Sequence, residues 1–466
     1  MDLNKGKGNK DPMSPISPRK PITLFGWFVL FIIWIPSMVL ADVGDILSKF
    51  QFYGTVQETY DNNVNLTTRD KKDDFITNVG VGIKFSTLPK AETTWEFRQP
   101  SISEQTAYGV SLDFLPAYVI YAKGTNDDYL SLSGKLDSWY TWDRNLTFRI
   151  KDYLIRSQEP LEQNYATTAL PGQILLGSQR GRAIYTRNVV QPSLEYRFGR
   201  EDIISINYLN NVYRNQESSL SEDSTENYIN PKLIYWFNIR NGVSLEYALD
   251  LGNFQRSPDM TGNLAKGRYT YRFTPRTSVF GEYTFQNRES ERQISVPAPV
   301  PAINYDIHSP AIGFEHALNP TLSLRAKFGY FWQVPQRRSN ETGPVYDILV
   351  TQRTQRTTYT LGLQGGYTED YFTAENLGFA KYHQVIGTIN HQLTQKAAVT
   401  FSGRYQRPKY NNGRIDNIWG AGTGASYRIL RWLTLGLDFL YSEDHSNRDA
   451  NDYTDFQGIF RITATY

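Results

Sequence analysis

Apolar and polar side chains alternate along this chain in segments of about ten residues, the period of a β-strand whose two faces meet different media. In Val243 to Leu251 the odd positions are Val243, Leu245, Tyr247, Leu249 and Leu251, and the even ones are Ser244, Glu246, Ala248 and Asp250. Leu322 to Tyr330 repeats the pattern, with Leu322, Leu324, Ala326, Phe328 and Tyr330 against Ser323, Arg325, Lys327 and Gly329. Leu433 to Tyr441 sets Leu433, Leu435, Leu437, Phe439 and Tyr441 against Thr434, Gly436 and Asp438. Alternation alone leaves open which face meets water, because a soluble sandwich hides its apolar face and a membrane barrel displays it. Length decides the matter. Asp202 to Asn215, Thr277 to Glu291 and Arg414 to Leu430 are longer than the five or six residues usual in globular strands. They suit tilted strands that cross a bilayer and continue beyond it.

Turn chemistry points the same way. Short turns fall at Trp142 to Asn145, Gly199 to Asp202, Arg240 to Gly242, Thr274 to Thr277, Leu318 to Thr321, Leu393 to Lys396 and Leu430 to Trp432, most of them containing Pro, Gly or Asn. Between them lie polar stretches, Gln158 to Gly181, Glu217 to Asn227, Ser290 to Pro301 and Gln336 to Gly343. Tight turns on one side and long loops on the other describe an outer-membrane barrel with periplasmic turns and extracellular loops. The expected fold is all-β: a closed antiparallel transmembrane β-barrel of even strand count, roughly 16 to 20 and about 18 by preference. Pro344 to Thr354 and Leu88 to Gln105 are the doubtful runs.

Composition narrows the class further. The 466 residues include 32 Tyr, 25 Phe and 9 Trp, more aromatics than a soluble fold needs but what two interfacial girdles require. There is no cysteine, which excludes a disulfide framework, thiolate metal sites and lipoprotein acylation. At the N-terminus Lys5, Lys7, Lys10, Arg19 and Lys20 precede an apolar run from Ile22 to Ile35, then Pro36 and Val39-Leu40-Ala41. This is the order of a signal peptide, 1–41, cleaved after Ala41, with the barrel in 42–466; a retained anchor helix is the alternative. Net charge is +2, with acids and bases interspersed, so nothing points to nucleic acid.

The last strand carries a local signal. Phe460, Ile462, Ala464 and the C-terminal Tyr466 alternate with Arg461, Thr463 and Thr465. Such an end is expected to be read by the barrel assembly machinery through strand addition.

Gln57-Glu58-Thr59-Tyr60-Asp61-Asn62-Asn63-Val64-Asn65-Leu66-Thr67, followed by Asp74-Phe75-Ile76-Thr77, resembles the opening of the putative β-barrel porin 2 family. Phe379-Ala380-Lys381-Tyr382, Asn390-His391-Gln392-Leu393-Thr394 and Arg404-Tyr405-Gln406 resemble its closing hairpins. The resemblance implies an outer-membrane barrel and, because several such barrels are encoded among exopolysaccharide genes, a polysaccharide-linked role as one option. It carries over no catalytic residue. The stretch Pro89 to Pro100 departs from it, standing where a short periplasmic turn is expected.

No constellation for chemistry stands out. His308, His316, His383, His391 and His445 are not spaced as a metal pair; His308 and His316 share a face but lie about 26 Å apart along a strand. Gly422-Thr423-Gly424 has no Walker lysine and reads as close-packed strand, and Asp61-Asn62-Asn63 lacks the calcium-loop pattern and reads as the tip of the first outer loop. No cofactor is expected. The candidate lumen lining is Lys135, Arg149, Lys151, Arg325, Lys327, Arg404 and Arg461 beside Glu246, Asp250, Glu282 and Asp438. Such charges neutralise one another in a wet interior, and on facing walls they also set up a transverse field that filters solutes.

These readings favour a porin-like channel for small hydrophilic solutes in the outer membrane of a Gram-negative bacterium. Its expected partners are outer-membrane lipid, the assembly machinery, and the solutes or a polysaccharide. The alternatives are an outer-membrane component of exopolysaccharide export, a non-conducting structural or adhesive barrel and, weakest, a barrel enzyme.

Overall fold

The computed structural model describes residues 49–87, 107–124, 127–159, 183–216, 222–290, 304–336, 339–372 and 377–466. The expected leader and its expected cleavage site lie outside them, as do the stretch 88–106 and most of the loop Gln158 to Gly181.

Twenty strands are present among the described residues. They are β1 (Phe50–Asp61), β2 (Asp74–Ser86), β3 (Tyr108–Tyr121), β4 (Tyr129–Trp142), β5 (Leu146–Ser157), β6 (Tyr185–Arg197), β7 (Ile203–Asn215), β8 (Ser224–Trp236), β9 (Asn241–Phe254) and β10 (Met260–Thr274). There follow β11 (Thr277–Ser290), β12 (Tyr305–Asn319), β13 (Leu322–Pro335), β14 (Glu341–Arg353), β15 (Thr357–Asp370), β16 (Gly378–Gln392), β17 (Ala397–Tyr410), β18 (Asp416–Leu430), β19 (Leu433–Ser446) and β20 (Tyr453–Thr465). Each pairs antiparallel with its neighbours in sequence, and β1 closes on β20 from Tyr53↔Thr465 to Asp61↔Gln457. Closure leaves no open edge between first and last strands, the condition for a sheet to sit in lipid. The count is at the top of the expected range. The doubtful run Pro344 to Thr354 lies in β14 as far as Arg353, and the expected loops Glu217 to Asn227 and Gln336 to Gly343 give up their ends to β8 and β14.

Eight connections at one end are turns of two to five residues, and the ninth is the longer stretch between β2 and β3. At the β4–β5 turn Asp143 and Arg144 both take positive φ, 49° and 63°, the geometry that lets two residues reverse a twisted ladder. Every connection at the other end is five residues or longer.

The two faces differ as the alternation requires. Leu245, Tyr247 and Leu251 are exposed on the convex face of β9, while Ala248 and Asp250 are buried on the concave one. Two rows of outward aromatics bound the apolar band. On the loop side, Tyr208, Tyr247, Tyr283, Tyr330, Tyr346 and Tyr405 each bond through the phenol to a polar side chain of a following strand, Asn227, Asn263, His308, Thr342, His383 and Asn417 respectively. On the turn side, Tyr140 packs on Trp142, Phe198 on Tyr235, and Tyr271 on Phe273. Asn263 and Tyr271, on the outer face of β10, are eight residues apart, about 27 Å along the strand and about 20 Å along the normal at 40° tilt. That depth matches a bilayer band flanked by interfacial rings.

The seam has its own clasp. Asn62 N–H donates to Phe456 O and accepts through its side chain from Phe456 N–H, while the buried Asn63 amide donates to Thr67 O and Thr454 O. The motif Asp61-Asn62-Asn63 thus ties the β1–β2 loop to β20. At the other end of the seam, Tyr466 and Phe52 exchange backbone hydrogen bonds of 2.7 and 3.1 Å.

Candidate functional site: the lumen and its inward hairpin

Twenty strands spaced by 4.8 Å at about 40° tilt would enclose a circular barrel about 40 Å across. Ion pairs that skip strands mark its concave side. Arg288 on β11 reaches Asp250 on β9 (3.1 Å), Lys327 on β13 reaches Glu282 on β11 (3.4 Å), and Arg268 on β10 reaches Glu315 on β12 (2.7 Å).

The expected lining residues lie on this concave face in three groups. Along β8 to β14, Glu282 is shared by Lys266 and Lys327, Glu246 accepts from Asn230 (3.2 Å), Asp250 holds Arg288, and Arg325 pairs with Asp347 (2.9 Å). On β4 and β5, Arg149 donates to Asp137 (Nε to Oδ1, 2.7 Å) while lying over the Trp139 ring at 5.3 Å; Lys151 is buried, and Lys135 faces the Lys84–Asp113 pair on β2 and β3. Around the seam, Arg461 donates to Gln57 (2.9 Å) with Asp438 at 3.9 Å, and Arg404 lies against Gly420. Gly420, Gly422 and Gly424 leave the inner face of β18 bare, so that Arg404 and Asp438 from either side lie across it.

Two neighbouring cations, Arg268 and Arg272, lie flat on Phe280 and Trp236 at 3.6 and 3.5 Å from the ring centroids. Arg272 also pairs with Glu201 in the β6–β7 turn, which holds that carboxyl below the usual glutamate range. A cation pressed between ring and carboxylate presents its edge to the lumen instead of projecting into it.

Among the described residues, one inward-lying element was not foreseen from the sequence. The ladder between β14 and β15 runs from Arg353↔Thr358 only as far as Tyr346↔Gly365, though both strands continue towards the loops. Beyond that point β14 keeps β13 as its partner and β15 keeps β16. The described upper ends of β15 and β16 pass behind β14, inside the barrel. Parity proves it. Tyr359, Leu361 and Leu363 are exposed on the outer face of β15, and Tyr367 and Glu369 continue the same face, yet both contact residues of the inner wall.

There, Glu369 accepts from Arg288 (Nε 2.9 Å, Nη2 2.7 Å), from Gln286 and from the Tyr305 hydroxyl. The Tyr371 hydroxyl meets that of Tyr305 at 2.7 Å, Lys381 pairs with Glu341, and Phe372 stacks on Phe254 of β9 at 5.4 Å. Between these polar contacts Tyr305, Ile307, Phe331 and Phe379 form a dry cluster with Val345 and Tyr367. Two glycines make the bend. A Cβ on Gly365 would stand 2.4 Å from the Tyr346 ring, and Gly366 has φ +155°, a region open to residues without a side chain.

Exposure divides the lumen. The hairpin's anchors are sequestered, Arg288 and Glu369 each 9% exposed in their side chains, whereas Lys84, Arg325 and Arg461 nearer the turns are 47%, 44% and 44% exposed. Near the turns the charges are of both kinds, since Arg149 and Asp137 are only 11% and 3% exposed in their side chains. All five histidines bond on the outer face or at its margins, to Tyr283, Tyr346, Thr277, Thr357 and Glu443.

Residues 255–466 match the family described as putative beta-barrel porin 2, the family that the closing phrases resemble; the opening phrase, Gln57 to Thr67, lies outside the match. A comparison with curated proteins returns no match. Among solved structures, the chain is similar to Acinetobacter baumannii OccAB4 at 11% identity over 90% of this chain and 98% of that chain, with a TM-score of 0.38. It is similar to the siderophore receptor PiuA from Acinetobacter baumannii at 10% identity over 90% and 82%, with a TM-score of 0.48. Similarity to Pseudomonas aeruginosa OpdL stands at 14% identity over 90% and 98%, with a TM-score of 0.38. A closed barrel with a lipid-facing apolar band, matched to a porin family, is an outer-membrane protein of the Gram-negative type.

Proposed function

We propose that this porin-like barrel is a channel for small hydrophilic solutes, with the tucked β15–β16 hairpin as its constriction and the expected lining residues as its filter. The observation that carries the reading is the hairpin itself: one piece of wall is folded inward and fixed by Glu369 to Arg288, narrowing a lumen whose inner half keeps exposed charges of both signs. Opposed charges around a narrowed aqueous path order water and favour small polar solutes over large or apolar ones. A polysaccharide conduit would instead need aromatic faces open along the path, whereas inward Tyr121, Tyr185, Tyr213 and Tyr305 are all buried.

The test is single-channel conductance of the purified barrel in planar bilayers at several salt concentrations. Steps on the order of a nanosiemens, with ion preference shifted by Arg325→Ala, are expected of such a pore. A folded barrel that stays silent across salt and voltage overturns the reading in favour of a structural or adhesive role.

A further inference from the structure

The overlap of β15 behind β14 leaves two strand segments of equal length without each other. Glu341 to Val345 and Gly366 to Asp370 are both extended, both continue the strands whose ladder ends at Tyr346↔Gly365, and neither pairs with the other. Continued in register, the ladder would set Val345 opposite Gly366, Pro344 opposite Tyr367, Gly343 opposite Thr368 and Thr342 opposite Glu369.

The face parity of both segments permits that second arrangement, in which Pro344 would bring no backbone N–H to the ladder. In it Tyr367 and Glu369 would stand on the outer face, level with or just above the tyrosine row. Other strands carry Asn227, Asn263, Asp306 and His308 on their outer faces near that level. Their alternation with Tyr359, Leu361 and Leu363 is unbroken. What holds them inside is the set of Glu369 bonds to Arg288, Gln286 and Tyr305, the Lys381–Glu341 pair, the hydroxyl bond between Tyr371 and Tyr305, the Phe372–Phe254 stack, and the dry packing of Tyr367 and Phe379 on Phe331. The bend at Gly365-Gly366 supplies a pivot without side-chain bulk.

We infer that the β15–β16 hairpin is a two-position element: tucked, as observed, or zipped onto the free edge of β14 as ordinary wall, with the outer mouth wider in the second position. This rests on the channel reading only for its consequence, not for the movement. The exchange trades backbone ladder bonds against the Glu369 socket and the dry cluster beside it, so a change at one of these anchors shifts the balance towards the zipped position.

The absence of native cysteine allows a direct test. In the zipped register positions 342 and 369 are cross-strand partners, with Cα atoms about 4.5–5.5 Å apart, inside the range a disulfide spans. Thr342→Cys/Glu369→Cys should cross-link in the folded barrel under mild oxidant, as should the control Leu349→Cys/Gly362→Cys, whose positions are already paired. Conductance should be larger oxidised than reduced. In the cysteine-free protein Glu369→Gln should raise the open fraction about tenfold, the effect of losing one charge-assisted bond. If the control pair cross-links and the test pair does not, or if the parent conducts and Glu369→Gln conducts no differently, the two-position hairpin is overturned and the channel reading stands. If the test pair cross-links but the barrel is silent in both redox states, the hairpin movement stands and the channel reading falls.

Discussion

Glu369 and Arg288 lie four strands apart around the barrel and 81 positions apart in the chain, yet the carboxylate of one accepts from two nitrogens of the other's guanidinium at 2.9 and 2.7 Å. Arg288 is at the same time held by Asp250. Replacing it by alanine leaves two sequestered carboxylates facing each other, at about 3–5 kcal/mol. Glu369→Gln keeps the shape and leaves Arg288 one acid, at about 1–2 kcal/mol. Urea unfolding in detergent micelles should rank Arg288→Ala well below Glu369→Gln, and equal losses would show that the pair does not anchor the hairpin.

Gly365 gives way to the Tyr346 ring, whose hydroxyl reaches His383 at 2.7 Å. Gly365→Ala should push that ring aside and break the bond, at about 1 kcal/mol. In a Tyr346→Ala background the same substitution should cost almost nothing. A double-mutant cycle by chemical unfolding measures the coupling, and additive effects would count against the steric account.

Glu201 is held below its ordinary range by Arg272. A carboxyl depressed in the folded state contributes stability above its unfolded pKa, lost as pH falls through the folded value. Glu201→Gln should therefore be less stable than the parent above the ordinary glutamate range, by a margin that shrinks as pH falls below that range and vanishes once Glu201 is protonated in the native state. Because Arg272 lies on Trp236, tryptophan fluorescence should report its release over the same interval. A parent whose Trp236 signal is flat through that interval contradicts the coupling.

Asn63, buried and bonded to Thr67 and Thr454, clasps the seam at the loop end. Asn63→Ala should cost about 2 kcal/mol and raise amide exchange in the upper halves of β1 and β20 ahead of the other strands. Uniform exchange around the barrel would assign the clasp no special part.

Removing Tyr466 takes away the two backbone bonds it shares with Phe52. Folding into lipid vesicles, followed by the gel shift between folded and heat-denatured barrel, should slow on deletion of Tyr466 and slow further with Phe460→Ala. An unchanged rate would mean that the seam closes without its C-terminal end.

Most of the wall was legible because period two is a property of each strand by itself: Leu245 and Asp250 declare their faces without knowledge of a neighbour. β14 was harder to read. Gly343 and Pro344 look like a loop, and Ile348-Leu349-Val350 is not alternating, yet Pro344 lies in the segment with a single ladder partner, where a missing N–H is tolerated. The tuck itself could not be read from alternation, since Tyr367 and Glu369 keep the outward parity of Leu363 whichever side of β14 they occupy. The one signal was the adjacent pair Gly365-Gly366 inside a strand, a place where backbone bends or another group comes close. Likewise parity assigns charged side chains to one face of a strand, but pairing across skipped strands, Lys327 with Glu282 or Arg268 with Glu315, depends on curvature that no single segment encodes.

At the turn end every strand is laddered to both neighbours, so the girth there is fixed by strand number and tilt. At the loop end one ladder is replaced by an overlap of β15 behind β14, and the girth of that rim depends on how far one layer slides past the other. One mouth of this barrel is a ring of set size; the other is a cuff.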